Sequence, residues 1–182
     1  MSPAVGPQDV IGFWEEAGPD KWYARNEAFD REIAARFGRL HAAVAAGAHA
    51  DWATTPDGAL ALLIVLDQFS RNLHRNSPEA YAQDALARKI ASDAIEAGFP
   101  EMVEPAFGEF FCTPFMHSES LADQARCVSL SHRLGTADTL KFALIHERII
   151  RRFGRFPHRN AVLGRHTTPA ERQFLEGGGF SG

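Results

Sequence analysis

Helix-start punctuation constrains this chain more than any other feature. Three times a hydroxyl residue stands directly before proline: Thr55-Pro56-Asp57, Ser77-Pro78-Glu79 and Thr168-Pro169-Ala170. At a helix start the hydroxyl accepts a hydrogen bond from an orphan backbone N–H, and the N–H that proline lacks is not missed. Thr168 and Glu171 add the spacing of a capping box. Gly47, Gly98, Gly135 and Gly154 each follow a helical run, where the residue past the last turn takes a positive φ. These marks predict about eight helices, near residues 8–17, 26–46, 56–74, 78–97, 101–111, 119–134, 137–153 and 169–176. Connections are short except at 113–118 and 154–168, and short turns favour antiparallel helix pairs.

Composition agrees with an all-α fold. Ala and Leu number 43, against 24 for Val, Ile, Thr and Tyr, and no stretch alternates with period two between turns. At 182 residues without a low-complexity linker, a single domain over 1–182 is expected. The start, Met1 to Gly12, lacks a basic segment followed by an apolar run, so no signal peptide is expected. The longest apolar run, Ala59 to Leu66, is far short of the ~20 residues that span a bilayer. A cytoplasmic protein is the expectation. Cys112 and Cys127 form no CxxC and no ligand set, which points to two buried thiols rather than a disulfide or structural zinc. No cofactor and no metal are expected.

The helix at 56–74 is apolar nearly all round through Leu66, so it belongs at the centre. It then turns polar: Asp67, Gln68, Arg71, Asn72 and Arg75 share one face. Either the helix emerges into water with Asp67 and Arg71 as an i,i+4 pair, or it enters a polar pocket. Further on, Phe115-Met116-His117-Ser118-Glu119 reaches a loop-to-helix junction. Ser118 or His117 suits a cap there, and Glu119 in the first turn suits the helix dipole. The same junction presents His117 and Glu119 for acid–base work. His146 is expected on the apolar face of helix 137–153, in line with Phe142, Ile150 and Phe153, either as a core histidine or as a titratable group in a pocket. Its segment lacks the second histidine of HExxH.

Charge is unevenly placed. The chain carries −4 overall, yet residues 146–172 hold seven arginines against two glutamates, +5, leaving −9 for the rest. Arg148 to Arg152 suit a helix C-terminus, and Glu147 can pair with Arg151. Arg155, His158, Arg159 and Arg165 lie beyond that helix in a proline-containing loop. The planar fork of arginine suits carboxylate or phosphate, and a long ordered loop is often functional. Alternatively, these arginines pair with acidic helix faces and tie the loop down.

The chain resembles a bacterial domain-of-unknown-function family, the one numbered 924, along almost its whole length. The resemblance rests on Phe13-Trp14, Phe29-Asp30, Leu66 through Asn72, Tyr81, Asp84, Pro114 through Glu119, Gln124 and His146. It continues through Arg152 to Asn160, Leu163-Gly164-Arg165 and Thr168. It implies an all-helical, tetratricopeptide-like fold without regular repeats, and no established reaction. Ser70 stands where such proteins often read proline.

Two functions follow as expectations. The first is a site for a small anionic ligand, with acid–base chemistry open to His117, Glu119, His146 and Asp67. Arg71, Asn72, Gln124, Arg155, His158, Arg159, Asn160 and Arg165 would bind the ligand. The alternative is a protein-interaction module that clamps an acidic peptide, with the polar motifs as a structural network. Nucleic-acid binding is not expected from an acidic chain without a helix-turn-helix or stacking sheet.

Overall fold

The computed structural model describes residues 5–180, which form helices and short 3₁₀ turns with no strand among them. The helices are α1 (Pro7–Ala17), α2 (Pro19–Trp22), α3 (Glu27–Ala45), α4 (Pro56–Leu63), α5 (Ser70–Leu73), α6 (Asp84–Glu96), α7 (Thr113–Met116), α8 (Leu121–Leu134), α9 (Ala137–Phe153) and α10 (Pro169–Glu176). A π-helical stretch, Ile64–Phe69, joins α4 to α5 in one rod. None of these helices is long and apolar enough to cross a membrane.

That rod is the core, as its sequence predicts. Every residue from Gly58 to Ser70 is buried. Each fully buried Leu or Ile contributes about 1.5–3 kcal/mol of transfer free energy. Helices α1, α3 and α6 surround the rod. Against its side stands an aromatic cluster in which Trp14, Trp22, Phe29, Phe69 and Phe110 meet at centroid distances of 5.0 to 6.0 Å. A second, smaller core lies apart: Ile149, Ile150 and Phe156, with Ile145, Phe153, Phe174 and Phe180 packed on it. Helices α8 and α9 fold back on each other across Gly135–Thr136, and α9 carries this second core.

Prolines account for the largest departures from the predicted elements. The expected helix 101–111 is instead two 3₁₀ turns, Phe99–Met102 and Pro105–Phe111, and α7 lies within the expected 113–118 connection. Pro100, Pro105 and Pro114 lack N–H donors and disfavour α-geometry in the residue before them, so no continuous α-helix fits. The expected helix 78–97 divides into a turn, Pro78–Tyr81, and α6. Ser77 makes no capping bond, because its hydroxyl is turned to the Glu79 carboxylate. Gly47, Gly98 and Gly154 do take positive φ (90°, 75° and 70°), whereas Gly135 is extended. Helix α8 starts later than predicted, capped by Ser120 rather than by His117 or Ser118. Along α9 the buried face is Thr139, Ala143, His146, Ile149 and Ile150, and Phe142 is exposed, its ring 5.7 Å from the Lys141 ammonium. The stripe is thus rotated from the one drawn through Phe142, while His146 stays on its inner side.

Candidate functional site

The polar end of the central rod enters a polar cluster rather than water. Asp67 is fully buried in the π-helical stretch, a geometry that re-aims side chains and often marks functional sites. Its Oδ1 is 2.7 Å from His117 Nδ1 and 3.1 Å from Arg71 Nη1, and its Oδ2 accepts from Gln68 Nε2 at 2.7 Å. Arg71 also donates to the Asp67 carbonyl (2.8 Å) and to both Asp84 oxygens (3.1 and 3.2 Å). Burial alone would raise the Asp67 pKa, but His117 and Arg71 reverse this and hold the carboxylate ionised well below its usual range. An ionised carboxylate only accepts, so Nδ1 of His117 carries the proton and Nε2 keeps its lone pair. Burial, reinforced by Arg71 and opposed by Asp67, lowers the His117 pKa. Gln124 braces the turn that delivers His117: its Nε2 donates to the carbonyls of Phe115, Met116 and Ser118 at 3.3, 2.8 and 2.7 Å.

The loop after α9 supplies the second half. Gly154 turns the chain out of the helix, and the 3₁₀ turn Pro157–Arg159 folds Arg159 inward until only 6% of it is exposed. The guanidinium carbon stands 4.5 Å from the ring centroids of both Tyr81 and Phe156. Among the described residues the Arg159 guanidinium has no hydrogen-bond partner. Its Nε is buried and orphaned, and its ion pair with Asp84 Oδ2 is long, at 3.7 Å. Burial, with Arg71 adding, lowers its pKa to about 10, which leaves it cationic at neutral pH. His158 Nδ1 is likewise buried without a partner. Burial and the Arg159 charge lower the His158 pKa to about 4. His146 donates from Nδ1 to the Phe142 carbonyl at 2.7 Å, and burial lowers its pKa to about 3.

Three contacts join the halves. Asp84 bridges Arg71 and Arg159. Phe156 meets Arg159, His146 and His158 at 4.5, 5.3 and 5.6 Å. His117 is near enough to His146 and His158 to depress both of their pKa values. Asp67, Arg71, His117, His146, His158 and Arg159 are therefore neighbours, although they span 93 positions from first to last in the sequence.

Other predicted residues do different work. Glu119 is not in the first turn of α8. It reaches the loop, accepting from Arg165 Nη1 at 2.7 Å and from the Phe156 amide at 2.8 Å. Arg165 also donates to Asn160 Oδ1 and the Phe156 carbonyl, so Glu119, Arg165 and Asn160 pin the loop beneath the site. Arg155 is taken up by Glu171, with contacts at 2.6 and 2.9 Å, and by the His166 carbonyl. Asn72 points to Asp30 at 2.7 Å and stands outside the cluster. Tyr81, Asp84, Phe156 and Phe180 belong to the cluster but were not among the predicted site residues. Nothing in local spacing announces an aromatic contact to a distant arginine.

Two open clefts of the surface lie elsewhere, one beside Pro7, Thr55 and Met102 and one along Ala137, Leu140, Leu144 and Arg148 of α9. Among the described residues no three His, Cys, Asp or Glu side chains are grouped to hold a metal ion.

An all-helical chain with a buried arginine–histidine–carboxylate cluster between two hydrophobic cores is the class that fold and site define. The chain belongs to the family of bacterial proteins of unknown function DUF924, whose model matches residues 10–179. It is similar to the solved structure of a protein of unknown function from Agrobacterium tumefaciens, at 43% identity and a TM-score of 0.91, covering 94% of this chain and 97% of that one. No functionally curated protein matched.

Proposed function

We propose that the protein binds a small organic anion at this cluster, with Arg159 as the charged anchor and His117 as the group that exchanges a proton with the ligand. One observation carries the proposal: a cationic side chain only 6% exposed, whose Nε is buried and, among the described residues, has no hydrogen-bond partner. Burying a charge without hydrogen-bond partners costs several kcal/mol, and an acceptor brought by a ligand would offset that. Charge-assisted bonds from arginine to a carboxylate or phosphate are among the strongest a protein makes. Asp67 and His117 add a second element of a site. A carboxylate that fixes Nδ1–H orients the imidazole and leaves Nε2 to act as acid or base. The local charges are balanced, since Arg71 and Arg159 face Asp67 and Asp84. An added anion therefore favours proton uptake by a neighbouring histidine, so affinity should rise as pH falls toward 6.

Clamping an acidic peptide would require free arginines on the loop, and Arg155 and Arg165 are spent on Glu171 and Glu119.

Thermal unfolding with a panel of carboxylates and phosphates tests the proposal. A ligand at 100 times its Kd stabilises by about 2.7 kcal/mol. A raised Tm in the parent chain that is lost in Arg159→Gln supports the site. No shift with any anion, or an equal shift in Arg159→Gln, refutes it.

A further inference from the structure

Building on the anion-site reading, we propose that the ligand is a monocarboxylate with a flat apolar body, and that the ring of Phe180 stands where this body lies when the ligand binds.

Charge sets the valence. Of the arginines in and under the cluster, Arg71 is held by Asp67 and Asp84, Arg165 by Glu119 and Arg155 by Glu171. Among the described residues, the Arg159 guanidinium of this group makes no hydrogen bond, its Nε being buried and orphaned and its ion pair with Asp84 long. One guanidinium whose hydrogen-bonding capacity is unused matches one carboxylate head. A second charge, as on a phosphate dianion, would sit near the Asp67 carboxylate, which His117 and Arg71 hold ionised, and be repelled. Geometry agrees. Tyr81 and Phe156 occupy the guanidinium through ring contacts at 4.5 Å, which leaves the edge bearing the orphaned Nε–H. Two coplanar N–H groups along a guanidinium edge match the two oxygens of a planar carboxylate.

The apolar body is read from the other walls. His146 and His158 both present their rings to Phe180, at 4.5 and 5.6 Å, and Phe156 closes the group. The backbone after α10 is shaped to deliver that one ring. Gly178 has φ +78°, and a Cβ at Gly179 would stand 2.5 Å from the Phe174 carbonyl oxygen, which accepts from the Gly179 amide at 2.9 Å. Glycine is required at both positions to place Phe180 between the histidines. The ring is carried by a segment beyond the last helix and is half-buried on the outside of the second core, so its departure exposes only the margin of that core. A ligand's planar body gains the two imidazole rings that the Phe180 ring now meets in T-shaped contacts.

Isothermal titration of the full chain with benzoate, acetate and inorganic phosphate tests this. Benzoate should bind, acetate about tenfold or more weaker for want of apolar contact, and phosphate weakest. In Phe180→Ala, benzoate affinity should rise about tenfold while acetate stays unchanged, because only the body competes with the ring. Arg159→Lys keeps the charge but loses the fork, and should weaken both carboxylates about tenfold or more. Phosphate binding tighter than benzoate, and dependent on Arg159, overturns the ligand class while leaving the anion site standing. Benzoate binding that is unchanged or weaker in Phe180→Ala overturns the place assigned to the ring. Heats absent for all three anions, in the parent chain and in Phe180→Ala, overturn both readings.

Discussion

Replacing His146 with leucine should make the protein markedly less sensitive to acid. His146 is buried, with Phe156 and Phe180 against its ring and Arg159, His158 and His117 near it, and among the described residues no carboxylate pairs with it. Its pKa falls from the ordinary 6.5 to about 3, burial being the main cause. The sign follows directly. Between those two values the unfolded chain holds the extra proton and the folded chain does not, so stability is present near neutrality and is lost as pH falls. From pH 7 to pH 5 the loss through this single residue is about 2 kcal/mol. Leucine fills a similar volume and cannot titrate. Urea unfolding of both proteins at pH 7 and pH 5 gives four free energies. The difference between the two pH values should be smaller by about 2 kcal/mol in His146→Leu. An identical pH dependence would refute the reasoning, since it would mean that the folded state accommodates a protonated His146 without penalty.

Three further outcomes follow from the same network. Asp67→Ala leaves Arg71 and His117 facing a buried space without their shared carboxylate, and should cost about 3–5 kcal/mol in chemical denaturation; a loss below about 1 kcal/mol would contradict the hub assigned to Asp67. Glu119 and Arg165 are each about a quarter exposed, so a double-mutant cycle with Glu119→Gln and Arg165→Gln should give a coupling of only about 1 kcal/mol, smaller again in high salt. Gly154→Ala forces a side chain onto φ +70° and should cost about 1 kcal/mol by thermal unfolding, with no change in anion affinity beyond that stability loss.

Much of the fold was legible because its signals are local. Caps at Thr55 and Thr168 and the positive-φ glycine at Gly154 stand where the sequence puts them, since each depends on residues within one turn. The burial of 58–66 was equally plain, because a helix apolar all round can only be central. The sequence reads as a helix at 101–111 and a connection at 113–118, because apolar periodicity does not distinguish an α-helix from the 3₁₀ turns that stand there between closely spaced prolines. The π turn around Asp67, against which α3 and α6 pack, was invisible, as no residue type or spacing in 64–69 announces it. At the site, residue chemistry was readable but commitment was not. Arg155, Arg159 and Arg165 look alike in sequence. Only the fold reveals that Glu171 and Glu119 take two of them and that Asp84, already occupied by Arg71, offers the third a long contact. Phe180 was unreadable for the same reason, since its partners are contributed by α9 and by the loop after it.

The central claim is that Arg159 awaits an anion, and its own Nε–H reports on this most directly. Arginine side-chain ¹H–¹⁵N spectra of the folded protein, titrated separately with acetate, benzoate and phosphate, should show one Nε–H resonance that moves saturably and is missing in Arg159→Lys. The resonances of Arg155 and Arg165, bound to Glu171 and Glu119, should stay in place. An Arg159 Nε–H resonance that no anion moves at millimolar concentration would contradict the account, and would make the cluster a structural lock between the two cores.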